Sequence, residues 1–405
     1  MSDDPTAPGV FARQPAPLQS RDGRLDPFDW YREMRADHPV SYDEDRRAWD
    51  VFRYEDVTRV LSEHETFSSG AMADHGGRRP GPNPLSATMI NADPPAHDRL
   101  RGFVDEQFRP GVVRERRPYV EDLAESLLAD ADDARDGDVL DLVPAFAFPL
   151  PVVVVADLLD VPADRRDEFK RWSDALVAAP EEQTESELLA NQRERMESVT
   201  AMASFFQETL SARRGGDGDD LVTLAANAED LTPTERLGFC ILLLVAGNVT
   251  TTNLVTNAVW TFDEQGLTAD VASGAIERED AIEEALRFRS PVQAMSRVTT
   301  GATEVGGVEI PAGERVTAWI GSANRDEAVF DEPDAFVPGR SPNRHVAFGT
   351  GVHYCLGAPL ARLEADVALA ALFDRYDHVE VTDDPLQPVS SPIVYGLESL
   401  PLRVA

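Results

Sequence analysis

Cys355 is one of only two cysteines in the 405-residue chain, and it lies in a stretch that several glycines interrupt. The surrounding sequence, HVAFGTGVHYCLG, covers residues 345–357 and is followed closely by Pro359. Because proline is favoured in the first turn of a helix, a helix is predicted to begin just after the cysteine. The dipole and the free N–H groups at that end of a helix stabilise a thiolate. Cys355 is therefore a candidate nucleophile or metal ligand.

Three roles compete for Cys355: a small buried side chain, a nucleophile and a metal ligand. Free cysteines are most often core residues. A nucleophile needs a base, for which His353 is available, but no asparagine or aspartate that would orient this histidine is evident. A zinc site needs three more cysteine or histidine ligands at short spacing, and the sequence lacks them. A single thiolate suits a metal whose other positions are already filled, namely haem iron.

The motif FGTGVHYCLG, residues 348–357, resembles the haem-binding loop of cytochromes P450. The resemblance implies that Cys355 ligates the iron of a haem b and that Phe348 packs near its sulfur. It also implies that glycines such as Gly349 let the backbone pass close under the macrocycle. N–H groups that follow the cysteine would tune the charge of its sulfur and hence the iron potential.

A second motif, Glu284-Ala-Leu-Arg287, resembles the family's Glu-x-x-Arg pair, and Arg340 corresponds to the third member of that network. Alone this pair has little value, because glutamate and arginine three residues apart are common on helix surfaces. Its position before the cysteine loop, at the spacing found in the family, makes it informative.

A third motif concerns the haem propionates. The segment that ends in His97-Asp-Arg-Leu-Arg101 resembles the part of the family in which a histidine and an arginine bind these carboxylates. On a helix, His97 and Arg101 point to the same side, as pairing with carboxylates requires. The resemblance assigns the same role to Arg297 and His353. Scattered surface cations are the alternative for any one of these residues taken alone.

The segment AGNVTT, residues 246–251, resembles the family's oxygen-binding groove, in which a small residue makes room and an acid–threonine pair delivers protons. Thr250 aligns with the threonine, but Val249 occupies the place of the acid. Cleavage of dioxygen needs two protons, which a valine cannot relay. Alternatively, these threonines hydrogen-bond to carbonyls one turn earlier and merely bend the helix. The candidate residues are Ala246 and Gly247 for cofactor binding and Asn248, Thr250 and Thr251 for a relay that includes ordered water.

Long helices are predicted to position these residues. Thr232-Pro-Thr-Glu235 is a capping box, and no proline follows it until well beyond Gly266. A helix of about 30 residues would be about 45 Å long, enough to cross the molecule and to imply one large core. Short strands are predicted at 48–52, 304–310 and 315–320, the last two as a hairpin.

The expected fold is mainly α with small β-sheets, an α+β class. By resemblance it is the cytochrome P450 fold, in which a long central helix lies over the haem. Residues 1–25 are predicted to be an extended arm, and residues 26–405 a single domain. The N-terminus is acidic and lacks the apolar core of a signal peptide, and the longest apolar run is too short to span a membrane. We therefore expect a cytoplasmic protein without membrane insertion.

The charge is extreme: 73 acidic residues against 38 basic ones give a formal net charge of -35. Such a surface repels nucleic acids and anionic lipids. Lys170 is the only lysine. Ordinary solvated faces are one explanation. The other is adaptation to high salt, where a Debye length of about 3 Å at 1 M screens the repulsion.

The resemblance implies a monooxygenase that inserts one oxygen atom into a hydrophobic molecule, such as a lipid, a terpenoid or a steroid, and works as a monomer with a ferredoxin-type electron donor. The arginine-rich segment 109–117 is predicted to dock that donor, or else to neutralise nearby acids. Alternatives are a peroxide-using enzyme or isomerase and a non-catalytic haem-based ligand sensor. The expected walls of the substrate pocket are apolar, and they comprise Leu242, Leu243, Ala246, residues 291–295, Ile393 and Val394, with residues 75–89 as a lid.

Overall fold

The computed structural model describes residues 14–72, 84–135, 137–165, 168–169, 171–172, 185–391 and 393–405. Helices dominate these ranges. In chain order, the helices are α1 (Arg21–Leu25), α2 (Phe28–Asp37), α3 (Tyr54–Ser62), α4 (Ala96–Gly102), α5 (Pro110–Arg114), α6 (Arg117–Ala134), α7 (Pro149–Leu158), α8 (Glu185–Arg213), α9 (Leu221–Asn227), α10 (Pro233–Glu264), α11 (Thr268–Ala272), α12 (Arg278–Phe288), α13 (Ile320–Ala323) and α14 (Ala358–Arg375).

Short strands form small sheets between these helices, which confirms the predicted α+β class. The strands are β1 (Val40–Asp43), β2 (Ala48–Val51), β3 (Phe67–Ser68), β4 (Val139–Asp141), β5 (Ala294–Thr299), β6 (Thr303–Val305), β7 (Val308–Ile310), β8 (Arg315–Trp319), β9 (Val379–Val381), β10 (Gln387–Pro388), β11 (Leu397–Ser399) and β12 (Pro401–Val404). The largest sheet has five strands in the order β1-β2-β8-β5-β3.

The central helix α10 begins and ends as its sequence predicts. The Thr232 hydroxyl accepts a hydrogen bond from the N–H of Glu235, while the Glu235 carboxylate accepts one from the N–H of Thr232. Beyond the other end, Gly266 adopts a φ of +67°, a conformation that favours glycine and ends helices. Among the described residues, α10 is the one helix apolar and long enough to cross a membrane, but most of its apolar segment is buried inside the protein.

The predicted hairpin between residues 304–310 and 315–320 is wrong. Gly306 and Gly307 both adopt positive φ and split the first segment into β6 and β7, which pair with each other. Strand β8 pairs with β5 on one side and with β2 on the other. All five of its residues are buried, so it suits the interior of the sheet better than a hairpin at an edge.

The first described residues are folded rather than extended. Residues 16–18 form a 3-10 turn, and α1 follows it with the Ser20 side chain as its N-cap. Leu18 is buried in the larger hydrophobic core, and the Arg21 side chain donates to the carbonyl oxygen of Leu386 at 2.9 Å. The remainder of the predicted arm, residues 1–13, lies outside the described residues.

Candidate functional site

The cysteine loop leads directly into α14. The N–H of Cys355 donates to the carbonyl oxygen of Phe348 at 2.9 Å, which closes the loop. Burial raises the pKa of the Cys355 thiol, and hydrogen bonds from the N–H groups of Gly357 and Ala358 act against this, as does the positive charge of Arg101. The same N–H groups and charge favour a thiolate once a metal replaces the proton. The loop therefore presents one sulfur whose anionic form is stabilised by its own backbone.

Two glycines give this loop its shape. Gly349 and Gly351 both have a φ of +70°, which other residues rarely adopt. At Gly351 a side chain would also meet the Cα atom of Ser62 in α3 at 2.8 Å. The loop can therefore lie flat against α3 only with glycine at this position, and Phe348 is held half-buried at its start.

His353 of this loop lies close to His97 and Arg297, which come from distant segments of the chain. The ring centroids of His97 in α4 and His353 lie 4.6 Å apart. The positive charge of the buried Arg297, in β5, contributes to lowering the pKa of His353. The Arg297 guanidinium donates to the carbonyl oxygen of Ser296 at 2.9 Å. The structure thus brings His97, Arg297 and His353 together, and Arg101 also lies close enough for its charge to act on His353.

Burial shifts the pKa values of two side chains in this cluster. Burial lowers the pKa of Arg297 to about 10, although Asp93 acts in the opposite direction. Burial, together with the charges of Arg297 and His97, lowers the pKa of His353 to about 3. Within the described part of the chain, the buried Nε2 atom of His353 has no hydrogen-bond partner. Donors of this kind, held in a buried positive potential, fit the carboxylates of a haem.

Arg101 is engaged differently from its predicted partners. Its guanidinium donates to the carbonyl oxygens of Val352 at 3.2 Å and Tyr354 at 2.6 Å, and to the carboxylate of Asp105 at 3.0 Å. These contacts brace the cysteine loop against α4. A contact of Arg101 with a propionate stays a prediction.

The central helix carries Thr250 and Ala246 one turn apart on the same face. The Thr250 hydroxyl donates to the carbonyl oxygen of Ala246 at 2.9 Å, so the back-bonding alternative is present here. Asn248 is fully buried, and at about 100° per residue it lies about 160° around the helix from Thr250. Asn248 is therefore badly placed to assist Thr250. Thr251, which follows Thr250 directly in the chain, is also buried.

Gly247 has a role in the packing of two helices. A side chain here would meet the Cγ2 atom of Val155, in α7, at 2.7 Å. The glycine therefore lets α7 and α10 approach closely. Contact of Gly247 with the cofactor stays a prediction, while Ala246 is exposed on the helix face that carries Thr250.

The Glu-x-x-Arg motif forms the buried network that the resemblance implies. Glu284 and Arg287 are both 0% exposed, and their side chains are joined by two hydrogen bonds of 2.7 and 2.9 Å. Arg340 and Asn343 also donate to the Glu284 carboxylate. Arg287 further donates to three carbonyl oxygens between residues 324 and 335. The network ties α12 to the segment that leads into the cysteine loop.

The structure agrees with only part of the predicted pocket wall. Leu242, Leu243, Met295 and Val394 are half-buried, as residues that line a pocket should be. Gln293 is buried, and its side-chain oxygen accepts a hydrogen bond from the hydroxyl of Tyr31 at 2.8 Å. This side chain is therefore engaged away from the predicted pocket. Residues 75–83 of the predicted lid lie outside the described residues.

Two segments of the predicted wall are joined to each other and to the central helix. Val292 forms a β-bridge with Val394, and the N–H of Gln293 donates to the carbonyl oxygen of Ile393 at 2.7 Å. A side chain at Gly396 would meet the Oδ1 atom of Asn253, in α10, at 1.8 Å. The wall is therefore packed tightly against α10 at this point.

The arginine-rich segment 109–117 is partly neutralised. Arg116 lies 3.7 Å from Asp157, and Arg117 lies 2.7 Å from Asp366. Arg109 pairs with Glu106. Arg114 is exposed and is the remaining candidate for contact with a partner.

Sequence reasoning missed two features near α14. Glu364 is fully buried, and burial raises its pKa to about 8. Glu283, His345 and Arg362 form a second polar cluster beside the cysteine loop. The only sequence signal for this cluster was the acidic pair at 283–284, whose first member has no role in the Glu-x-x-Arg motif.

Comparison with known proteins gives consistent results. The family described as "Cytochrome P450" matches residues 279–403. The chain is 39% identical over 394 residues to "Cytochrome P450 109" of Bacillus spizizenii, covering 96% of this chain and 94% of that one. It is 40% identical over 385 residues to "Erythromycin C-12 hydroxylase" of Saccharopolyspora erythraea, covering 93% and 94%.

Among solved structures, CYP109E1 from Bacillus megaterium in complex with testosterone has a TM-score of 0.86 and 38% identity. The match covers 95% of this chain and 99% of that one. Members of this family are oxidoreductases that bind haem, and the donors around Cys355 and His353 fit that cofactor. Identity at this level over nearly the whole length, together with the cysteine loop and the buried Glu284 network, shows that the chain belongs to the cytochrome P450 family.

Proposed function

We propose that the protein is a monooxygenase that inserts one oxygen atom into a hydrophobic molecule of about the size of a steroid. The observation that supports this most directly is the apolar character of the half-buried side chains along α10 and the wall packed against it, among them Leu243, Met295 and Val394. Apolar walls with few polar groups favour such ligands. The relative solved with testosterone supports the same size class.

The chemistry divides between cofactor and chain. Haem iron supplies the redox chemistry that activates dioxygen. Cys355 would hold the iron, while His97, Arg297 and His353 would hold and orient the propionates, with Arg101 as a further candidate. Thr250 holds its hydroxyl proton in a hydrogen bond to the carbonyl oxygen of Ala246, from which it would supply that proton during turnover.

Electrons are proposed to come from a separate ferredoxin-type protein. A protein with a net charge of -35 would repel an acidic donor at low salt. The excess of acids over bases supports adaptation to high salt, in which contacts between the two proteins act only over a few ångströms. We propose that Arg114 takes part in docking, and that the protein works as a cytoplasmic monomer.

Testosterone is expected to shift the spin state of the haem-bound protein and to be oxidised when NADPH and a ferredoxin–reductase pair are added. Short polar acids should give neither response, because the pocket offers them few polar partners. Difference spectra and product analysis measure both. Product formation with hydrogen peroxide alone would favour the peroxide-using alternative, and ligand-induced shifts without any product would favour a sensor.

Replacement of Thr250 by alanine is expected to separate NADPH consumption from product formation and to increase hydrogen peroxide release. Val249 supplies no acid, so the hydroxyl of Thr250 is the candidate proton donor on this face of α10. The ratio of product to NADPH, with peroxide measured in parallel, tests this. Asn248 lies on the other side of the helix, so Asn248→Asp should not restore coupling to Thr250→Ala. Unchanged coupling in Thr250→Ala would place the relay elsewhere.

A further inference from the structure

A compact polar cluster connects α12, the start of the cysteine loop and α14. The Glu283 carboxylate accepts hydrogen bonds from Nε of Arg362 at 2.5 Å and from a terminal nitrogen of the same guanidinium at 3.0 Å. It also lies 2.9 Å from Nε2 of His345. Burial would raise the pKa of Glu283, but the bonds from His345 and Arg362 lower it to about 2. Glu283 is therefore a carboxylate that anchors two side chains from other segments.

The hydrogen bonds of His345 define its role. Its Nδ1 atom accepts the N–H of Ala347 at 3.3 Å, so this nitrogen carries a lone pair. The ring hydrogen must then lie on Nε2 and be donated to Glu283. The imidazole side chain is only 5% exposed. His345 thus donates to Glu283 from Nε2, and Arg362 is the permanently charged group that pairs with Glu283.

Arg362 lies against two residues of the cysteine loop. Its guanidinium carbon is 4.5 Å from the ring centroid of Phe348, a cation–π distance. A terminal nitrogen of the same group is 3.4 Å from the hydroxyl of Tyr354. Phe348 accepts the N–H of Cys355, and Tyr354 precedes the cysteine directly in the chain. Arg362 therefore contacts two residues that are joined to Cys355, one by a hydrogen bond and the other by the chain itself.

We propose that Glu283 and His345 are positioning residues that fix the charge of Arg362 beside the cysteine loop, and that this ion pair sets the reduction potential of the bound haem iron. The cluster is separate from the Glu284 network, because the two adjacent glutamates bind different partners in different directions. The proposal concerns electron uptake and does not depend on which substrate the protein oxidises.

The sign of the effect follows from charge alone. Reduction adds one negative charge to the iron–thiolate unit, so a nearby positive charge stabilises the reduced form and a nearby negative charge destabilises it. Loss of the Glu283 charge should raise the potential, and loss of the Arg362 charge should lower it. Because the side chains are 33% and 36% exposed, both shifts should shrink as salt is added.

Spectroelectrochemical titration of the haem-bound protein tests the proposal. Glu283→Gln is expected to move the midpoint potential to a less negative value, and Arg362→Gln to a more negative value. Arg362→Lys keeps the charge and His345→Gln keeps a hydrogen-bond donor for Glu283, so both should stay close to the parent protein. The reduced CO complex of each variant is recorded in parallel, because a retained red-shifted Soret band shows that thiolate ligation is intact.

Opposite shifts in the two charge-removing variants support the proposal, since a loss of structure alone would move both in the same direction. Shifts of the same sign, or no shift in either, would overturn it. If Arg362→Gln loses the thiolate spectrum, the comparison of Glu283→Gln with His345→Gln decides. Equal potentials in these two variants would then show that the cluster is only structural.

Discussion

Replacement of Cys355 by serine is expected to abolish the strongly red-shifted Soret band of the reduced CO complex. This band requires a thiolate ligand, and a serine hydroxyl neither ionises nor donates electrons to iron as a thiolate does. The loop should still fold, because the hydrogen bond from residue 355 to the carbonyl oxygen of Phe348 uses the backbone. Absorption spectra of the purified, reduced, CO-treated protein measure the loss, which should be complete.

Cys240 provides a matched control for this experiment. It is the other cysteine of the chain and lies in α10 with 0% of its surface exposed. Burial raises its pKa, so it is an inert thiol. Cys240→Ala should therefore keep the band. Survival of the band in Cys355→Ser would mean that Cys355 is not the ligand, and disappearance of the band in Cys240→Ala would mean that the assay reports stability instead.

Replacement of Glu284 by glutamine is expected to lower the free energy of unfolding by about 3–5 kcal/mol, because it leaves Arg287 charged and buried without its counter-ion. The amide nitrogen of glutamine would also face the donors of Arg340 and Asn343, which now bind the carboxylate. Haem should be lost more readily, since this network supports the segment that leads into the cysteine loop. Chemical denaturation and haem retention during gel filtration measure the two effects.

Glu279→Gln is the control for this change. Glu279 is an exposed residue in the first turn of the same helix, so its replacement should alter the free energy of unfolding by well under 1 kcal/mol. A similar small effect in both variants would contradict the importance given to the buried network. A large effect confined to Glu284→Gln would support it.

Much of this protein could be predicted from residues close together in the sequence. The capping box at 232–235 depends on contacts within one helical turn, and it placed the start of α10 correctly. The glycine-rich cysteine loop and the Glu-x-x-Arg pair are likewise short motifs. They led to the correct family, and with it to the fold and the cofactor.

The partners of these motifs were harder to predict, because they depend on how helices pack. Gly247 was singled out for contact with the haem, which stays a prediction, and the sequence did not show that its missing side chain makes room for Val155 of another helix. Asn248 was grouped with Thr250, but the turn of the helix directs the two side chains to opposite sides. Strand β8 was predicted to pair with its neighbour in sequence, whereas its fully buried face selects β2 and β5.

The sequence by itself therefore determined the family, the haem ligand candidate and the ends of the main helix, because these follow from local spacing and chain conformation. Only the tertiary structure decided which charges meet. Glu283, His345 and Arg362 come from three separate segments, and no local pattern relates them. Their contact exists because α12 packs against α14 beside His345, at the start of the cysteine loop, and polar groups that become buried there need partners.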